Sequence, residues 1–251
     1  MDNKYIYTVS EFNSWAYREG LIDAEIFLID NYLDKTKKTL EAGTAGGRIL
    51  FSMLEKGFSD LHGYDFVPEF IAQAKKRDNR NLINFSVEDA TSLNYTDNSF
   101  EQIVYLQQIV CFLGSYDKAK KAIEEAYRIL EKGGIALFSF CDYKDRIKQP
   151  LYFLLVQYLK IFRVISRSKF SSQHLPWFKL SGKPNWKLFL DKEPYNYWFN
   201  SYEAYELLRK TGFSIKGIAS QKQINEKKLI INYKSFEKID HTDMLYFVCE
   251  K

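Results

Sequence analysis

The 251-residue sequence predicts an α/β fold, in which a doubly wound, mostly parallel sheet of seven strands has helices on both faces. Three observations predict it. Short apolar segments alternate with helical patterns from residue 38 onward, a glycine-rich corner joins the first strand to the next helix, and an acidic residue ends each of the first three strands. The carboxyl ends of parallel strands meet at one edge of a sheet, so we expect a ligand site there.

Residues 1–36 are expected to form a helical preface to the sheet. Apolar residues within 5–34 are spaced as on one face of a helix, with an interruption at Gly20. We expect the preface to reach the ligand edge through Trp15, Tyr17 and Arg18. The alternative is that it only packs against the sheet.

Five strands and three helices are expected before residue 143. The predicted strands are 38–41, 61–65, 82–87, 102–106 and 135–140, and the predicted helices are 46–56, 68–76 and 116–131. Pro68 suits the first turn of its helix, and Lys132-Gly133-Gly134 is expected to end helix 116–131. Near the C-terminus we expect a helix at 201–211, strands at 213–218 and 244–249, and a long Lys-rich linker at 219–243.

Residues 143–200 differ in composition from the rest of the single domain that we expect over 1–251. They hold eleven Lys and Arg against three Asp and Glu, although the whole chain has a net charge of only +4. Three of the four Trp and four of the five Pro also fall here. Because this segment follows the fifth strand, we expect an inserted aromatic and basic cap over the ligand edge.

Bulk properties indicate a cytoplasmic protein. There is no apolar run of about 18 residues, so no transmembrane span is expected. The first residues lack the features of a signal peptide. Cys111, Cys141 and Cys249 lie in apolar contexts and are expected to be buried thiols, and the three His are too scattered to predict a metal site.

The glycine-rich corner is a predicted site for a nucleotide-like ligand. A dinucleotide-binding fingerprint would need glycine at positions 43, 45 and 48, but the chain has Ala45 and Arg48. This opposes a nicotinamide-dependent oxidoreductase. The pattern E-x-G-x-G-x-G, by contrast, matches at Glu41, Gly43 and Gly47, with Ala45 in place of the middle glycine.

The sequence resembles the class I methyltransferases that use S-adenosylmethionine (SAM), which have a Rossmann-like fold. The Glu41–Gly47 pattern resembles their first motif, and Asp97-Asn98-Ser99-Phe100-Glu101 resembles their D-x-S-F-D segment. Residues 128–134 resemble their R-x-L-K-P-G-G turn, with Lys132 in place of proline, and Gly212-Phe213 resembles a late G-F pair. The resemblance covers about 35–142 and 197–250, and it is to the small-molecule type, similar to methyltransferase type 11.

The resemblance implies SAM as the cofactor and S-adenosylhomocysteine as the product. It places Gly43 and its neighbours against the methionine part, Asp65 on the ribose hydroxyls, Asp89 and Ala90 at the adenine, and Gln107 at the methyl-donor end. Carboxylates suit the cofactor because they accept hydrogen bonds from its ammonium, hydroxyl and amino groups. The predicted cofactor-binding residues are Glu41, Gly43, Thr44, Ala45, Gly47, Asp65, Phe66, Asp89, Ala90 and Gln107, with Tyr17 and Arg18 from the preface.

The acceptor is expected to be a small molecule under the cap. The predicted substrate-binding residues are Trp15, Gln108, Trp177, Tyr197 and Trp198. His174 is the candidate general base, if the acceptor needs one. An aromatic, apolar or anionic acceptor fits the aromatic and basic composition of the cap.

Other interpretations stay open. Segment 150–165 is apolar nearly all round, so it can pack over the active site, lie on a membrane surface or form the contact between two copies. We expect the protein to be a monomer or a homodimer. The acceptor can then be a membrane-associated lipid or quinone. RNA is a weaker alternative, because Leu106-Gln107-Gln108-Ile109 stands where base methyltransferases have [D/N]-P-P-[F/Y]. A non-catalytic protein that binds SAM or lipid is the remaining alternative.

Overall fold

The computed structural model describes residues 6–7, 11–180, 182–192 and 194–251. Parts of the predicted preface, residues 1–5 and 8–10, therefore lie outside the described residues.

A seven-stranded sheet forms the centre of the molecule. Its strands are β1 (Thr39–Ala42), β2 (Leu61–Asp65), β3 (Ile83–Val87), β4 (Phe100–Tyr105), β5 (Leu130–Cys141), β6 (Ser214–Ser220) and β7 (Met244–Glu250). Their order across the sheet is β6-β7-β5-β4-β1-β2-β3. All neighbouring pairs are parallel except those of β7, which is antiparallel to β5 and β6. The predicted seven-stranded, mostly parallel sheet is confirmed.

Helices cover both faces of this sheet. They are α1 (Phe12–Ala16), α2 (Asp23–Tyr32), α3 (Arg48–Glu55), α4 (Pro68–Arg77), α5 (Ile109–Phe112), α6 (Tyr116–Ile129), α7 (Tyr143–Lys148), α8 (Pro150–Ser166), α9 (Ser201–Thr211), α10 (Gln221–Asn225) and α11 (Tyr233–Glu237). Buried residues of α2, α3, α4 and α10 form one core cluster, and those of α6, α8, α9 and α11 belong to another. Alternating residues of β4 enter different clusters: Ile103 and Tyr105 enter the second, and Val104 enters the first.

The strand order reverses between β1 and β4. From β1 the chain builds outward through β2 to β3, and then returns to place β4 on the other side of β1. Such a switch point leaves a crevice outside the carboxyl ends of the strands. The fold therefore places the end of β1 and the corner after it at the natural ligand site.

The predicted turn at Lys132-Gly133-Gly134 forms a bulge within β5: Gly133 has φ of +80°, and the partners on β4 step from Phe100–Leu130 directly to Gln102–Ile135. Helix α6 ends at Ile129, and β5 begins at once with Leu130. The Gly133 N–H donates to the Lys251 carbonyl (2.8 Å), and the Lys251 N–H donates to the Gly134 carbonyl (3.1 Å). The two bonds to Lys251 thus hold the bulge in place. The linker at 219–243 also contains more structure than expected, because α10 and α11 lie within it.

Residues 143–200 follow β5 and contain mixed elements. They comprise α7 and α8, a ribbon of His174–Pro176 with Tyr195–Tyr197, a second ribbon of Lys179–Leu180 with Lys183–Pro184, and a 3₁₀-helix at Trp186–Leu190. Within the described residues, no helix has the length and apolar character needed to cross a bilayer.

Candidate functional site

The corner after β1 depends on left-handed backbone. Gly43, Ala45 and Gly47 have φ of +61°, +47° and +84°, and Gly47 is the residue before α3. The Thr44 N–H donates to the Tyr64 carbonyl (2.9 Å), which holds the corner against β2. Ala45 therefore carries backbone strain that glycine would not have.

Two glycines of the corner also permit close contacts. A Cβ on Gly43 would lie 2.4 Å from Ile109 Cδ1, and a Cβ on Gly46 would lie 2.0 Å from the carbonyl oxygen of Ala16. The first contact seats the start of α5 against the corner. The second brings the end of α1 onto it, so the preface packs directly against the predicted cofactor loop.

A cavity of about 280 Å³ opens at this edge of the sheet. Ten of the predicted site residues line it: Trp15, Glu41, Gly43, Thr44, Ala45, Asp65, Phe66, Asp89, Ala90 and Gln107. The structure thus brings together the ends of β1 and β2, the segments after β3 and β4, and one residue of the preface.

Asp65 lies at the end of β2, and its side chain is buried. Its Oδ2 accepts the N–H of Ala45, and its Oδ1 accepts the N–H of Val67, both at 3.0 Å. Burial raises the pKa of this carboxyl to about 6, although the backbone hydrogen bonds oppose the shift. Because each carboxylate oxygen has a second lone pair, Asp65 can still accept from a ligand hydroxyl.

Glu41 is the buried acid at the end of β1. The Thr44 hydroxyl donates to its Oε2 at 2.6 Å. Burial raises the pKa of Glu41 to about 8, opposed by the Thr44 hydrogen bond and the charge of Arg48. A cationic ligand group beside Glu41 would favour the ionised form.

Asp89 and Ala90 form the third acidic strand end. Asp89 Oδ1 accepts the N–H and hydroxyl of Thr91, both at 2.8 Å, in a local turn. The Asp89 side chain is exposed, whereas Ala90 is buried and belongs to the core. This pair therefore gives the cavity a solvated acceptor on one side and a small apolar surface on the other.

Two successive glutamines follow β4 in left-handed conformation. Gln107 and Gln108 have φ of +57° and +58°. The Gln107 amide donates to Glu25 Oε1 (2.6 Å), and the Gln108 N–H donates to the Ser139 hydroxyl (2.9 Å). Gln107 lines the cavity, but Gln108 does not. Consecutive strained residues at a strand end are typical of ligand sites.

A buried ion pair lies beneath this edge, and the sequence analysis missed it. Arg48 donates to Glu25 through both terminal nitrogens, at 2.7 and 2.5 Å. Both side chains are almost completely buried. From the sequence, Arg48 is notable only because it stands where the dinucleotide-binding fingerprint needs glycine. The available signal was an acidic residue within the apolar pattern of the preface.

Three predicted cofactor residues do not line the cavity. Tyr17 is exposed, and Arg18 lies with its guanidinium 5.6 Å from the centre of the Trp15 ring. Gly47 lies behind the corner, where a Cβ would meet the ring of Phe51 at 2.7 Å. Of the predicted preface contacts, Trp15 alone is among the lining residues.

None of the predicted site residues from 143–200 lines the cavity. Trp177 comes nearest, since its ring packs against Tyr7 (5.8 Å between centroids) and Phe112 (5.9 Å), both of which do line it. Tyr197 instead donates to Glu203, and Trp198 stacks on Arg146.

His174 also lies outside the cavity lining. Its Nδ1 is 2.9 Å from the Ser171 hydroxyl, and its ring packs against Phe170 and Tyr197. Burial lowers the pKa of His174. This setting gives no geometric support to a general base, so that role stays a prediction.

The apolar wall of the cavity was not predicted. Its members include Tyr7, Phe70, Ile109, Phe112 and Leu113, and the cation of Lys118 also lines the cavity. They come from the preface, α4, α5 and α6, which only tertiary packing brings together.

Known proteins match the central part of this chain. Residues 40–138 match the family model of a methyltransferase domain. A 99-residue stretch is 29% identical to the ubiquinone/menaquinone biosynthesis C-methyltransferase UbiE of Desulfotalea psychrophila, and covers 39% of this chain and 38% of that relative. The aligned stretch thus spans well under half of the relative's length.

Solved structures share the fold over nearly the whole chain. A SAM-dependent methyltransferase from Methanosarcina mazei has a TM-score of 0.66 at 21% identity, covering 89% of this chain and 96% of its own. The CcbJ methyltransferase of Streptomyces caelestis also has a TM-score of 0.66, at 13% identity and with 100% and 99% coverage. The predicted Rossmann-like fold is confirmed, and the match of residues 40–138 to a methyltransferase domain supports the predicted family and its cofactor, S-adenosylmethionine.

Proposed function

We propose that this protein transfers a methyl group from SAM to a small aromatic, apolar or anionic acceptor. One observation carries the proposal: a single cavity is lined both by buried acids at the strand ends and by aromatic side chains. The acids suit the donor groups of the cofactor, and the aromatic wall suits an acceptor of similar character.

The cofactor half of the cavity uses the strand ends. Asp65 would accept from the ribose hydroxyls, Asp89 and Ala90 would face the adenine, and Glu41 would lie near the ammonium end. Gly43 and Ala45 leave the backbone of the corner nearly bare, so the ligand can approach it closely. The N-terminus of α3 begins directly after this corner and contributes the positive end of its dipole.

The chemistry requires little beyond positioning. When bound, the cofactor supplies a sulfonium methyl that the acceptor atom attacks in line, while the carbon–sulfur bond breaks and its electron pair passes to sulfur. Aromatic side chains such as Tyr7 and Phe112 would hold the acceptor and offer their ring faces to the positive charge. Lys118, which also lines the cavity, would favour an anionic acceptor.

The segment 143–200 would act as a second layer over the acceptor end. Support comes from Trp177, which packs on Tyr7 and Phe112 and is fixed by a hydrogen bond from its indole N–H to Asn196 Oδ1 (2.6 Å). Movement of this tryptophan would change the shape of the acceptor wall without touching the acids.

A second candidate acceptor is a lipid-soluble quinone precursor. The aromatic wall would accept such a ring, and the printed name of the Desulfotalea psychrophila relative assigns it C-methylation in ubiquinone and menaquinone biosynthesis. The lysine on the wall would stabilise a phenolate form of the ring, whose carbon then acts as the nucleophile.

The test is transfer of an isotope-labelled methyl group from SAM to fractions of a cell extract. We expect the label in the small-molecule aqueous fraction, with reduced transfer by an Asp65→Ala variant. Label in the lipid fraction would favour the quinone candidate, and label in the RNA fraction would contradict both acceptors. Absence of label from every fraction would favour a non-catalytic SAM-binding protein.

A further inference from the structure

Helix α8 has an unusual exposed surface. The inner half of the helix, with Leu155, Val156 and Leu159, is buried in the main core. The outer half is also apolar, with Leu151, Phe153, Leu154, Tyr158, Ile161, Val164 and Ile165 at 39% to 79% exposure. A helix in contact with water on its outer side normally carries polar residues there.

The 3₁₀-helix at Trp186–Leu190 extends this surface. Trp186, Phe189 and Leu190 are 73%, 46% and 56% exposed. The Tyr158 hydroxyl donates to the Phe189 carbonyl (2.6 Å), and the Trp186 and Phe189 rings stack 6.2 Å apart. The exposed apolar residues of α8 and of 186–190 therefore form one continuous surface, which we call the outer apolar face.

A buried ion pair joins the two segments that carry the outer apolar face. Arg163 donates to Asp191 through two nitrogens, at 2.7 and 2.6 Å, and both side chains are about 5% exposed. The same guanidinium donates to the His174 carbonyl (2.7 Å). The structure thus places an arginine inside and aliphatic side chains outside, the reverse of what water favours.

Cations surround the outer apolar face. Lys160 lies within α8, and Arg167 and Lys169 follow its C-terminal end. Lys187 lies within the 3₁₀-helix, and Lys183 and Lys192 flank it. All six are exposed. Among the described residues, none of these six forms an ion pair, and the nearby Asp191 is neutralised by Arg163. An open depression of about 390 Å³ lies among Lys160, Arg167, Ser168 and Ser172, and is wide enough for a charged headgroup.

We propose that the outer apolar face docks this protein onto the surface of an anionic lipid bilayer. The aliphatic and aromatic side chains would enter the boundary between headgroups and acyl chains, and the surrounding cations would attract the negative surface. A second copy fits less well. Two-fold packing of this face would bring its six cations against the same cations of the partner.

The docking surface is connected to the acceptor side of the cavity. Asn185, the residue before the 3₁₀-helix, donates from its side chain to the Trp177 carbonyl (2.7 Å) and from its N–H to the Phe178 carbonyl (2.8 Å). Trp177 in turn packs against the cavity wall. The segment that would meet the lipid therefore also supports the acceptor wall.

The test is co-sedimentation of the purified protein with lipid vesicles. Vesicles of phosphatidylcholine alone are compared with an equimolar mixture of phosphatidylcholine and phosphatidylglycerol. We expect binding to the mixed vesicles, at least tenfold weaker for the Ile161→Glu/Ile165→Glu variant and for the Lys160→Glu/Lys187→Glu variant. The matched control is Ile231→Glu, at a position 73% exposed outside residues 143–200, which should bind like the parent protein.

The variants change exposed side chains, so the far-ultraviolet circular dichroism spectrum should stay that of the parent. No binding to either vesicle would overturn the proposal, as would equal binding to neutral vesicles. A parent protein that dimerises without lipid, and whose Ile161→Glu/Ile165→Glu variant is monomeric, would assign the face to a second copy instead. These outcomes do not depend on methyl transfer.

Discussion

Arg48 and Glu25 form a bidentate ion pair beneath the glycine-rich corner that follows β1. The distances are 2.7 and 2.5 Å, and Gln107 donates to the same carboxylate at 2.6 Å. Three separate segments meet in this cluster: the start of α2, the first residue of α3 and the end of β4. The pair therefore fixes the corner relative to Gln107, which lines the cavity.

Replacement of Arg48 by Met should destabilise the protein by about 3–5 kcal/mol, because it leaves a buried carboxylate without its partner. The double variant Arg48→Met/Glu25→Leu should lose less stability than either single variant, since no unpaired charge remains. Urea unfolding of the parent, Arg48→Met, Glu25→Leu and the double variant gives the free energies of this double-mutant cycle.

The matched control for that cycle is Lys56→Met, which breaks the more exposed ion pair with Asp30. We expect a loss of less than about 1 kcal/mol for this surface pair. A loss for Arg48→Met no larger than for Lys56→Met would contradict a structural role of the buried pair.

Cofactor affinity should depend on the ionisation of Asp65. The pKa of this carboxyl in the free protein is about 6, and the ionised form accepts ribose hydroxyls more strongly. The contribution of Asp65 to the affinity for S-adenosylhomocysteine should therefore be complete above pH 7 and fall toward roughly tenfold per unit below pH 6. Calorimetry of the Glu41→Gln variant at several pH values measures it apart from the titration of Glu41. The Asp65→Ala variant should bind about 1.5–3 kcal/mol more weakly at pH 7.5, and in the Glu41→Gln background it should lack the decline below pH 6.

Glu41 should release a proton when the cofactor binds. Its pKa is about 8 in the free protein, so it is mostly protonated at pH 7. A nearby ammonium group lowers that pKa and drives the proton off. Titrations in two buffers with different ionisation enthalpies should give different binding enthalpies. The Glu41→Gln variant should remove the difference, and a parent protein without any difference would show that Glu41 does not sense the cofactor.

Gly46 should be the least replaceable residue of the corner. A Cβ there would lie 2.0 Å from the Ala16 carbonyl oxygen, so Gly46→Ala must displace α1 and with it Trp15 on the cavity wall. We expect at least tenfold weaker binding of S-adenosylhomocysteine. The control is Gly57→Ala, where the φ of +93° causes strain but no atom lies within 4 Å. It should cost roughly 1–2 kcal/mol of stability without changing binding.

Trp177 should affect the acceptor and not the cofactor. Trp177→Ala removes the ring that packs on Tyr7 and Phe112, so the KM for the acceptor should rise about tenfold while the affinity for S-adenosylhomocysteine stays the same. Steady-state kinetics with the identified acceptor measures it. His174→Gln provides the comparison, because its position outside the cavity predicts a kcat within a few-fold of the parent. A loss of kcat of more than about 100-fold in His174→Gln would support His174 as the general base.

Local patterns predicted the sheet edge well. The glycine corner and the acids Glu41, Asp65 and Asp89 are set by short-range chain geometry. The three acids line the cavity, together with residues 43–45 of the corner. Helix 201–211 was also predicted with its observed bounds, since its apolar spacing and the Gly212 stop are both local. Burial of all three cysteines followed from their apolar neighbours.

Features that depend on long-range packing were not predicted. The start of β5 at Leu130 depends on its pairing with Phe100 of β4. The Glu25–Arg48 pair joins residues whose charges each suggest a solvated position. The aromatic wall combines Tyr7, Phe70 and Phe112, which no spacing relates. In each case the decisive contact is between segments distant in sequence.

The central claim is that the edge formed by Glu41, Asp65 and Asp89 binds SAM and not a dinucleotide. Calorimetric titration of the parent protein with S-adenosylhomocysteine, and separately with NAD, tests it most directly. We expect one-to-one binding of S-adenosylhomocysteine and no heat of binding for NAD. Binding of NAD with no binding of S-adenosylhomocysteine would contradict it.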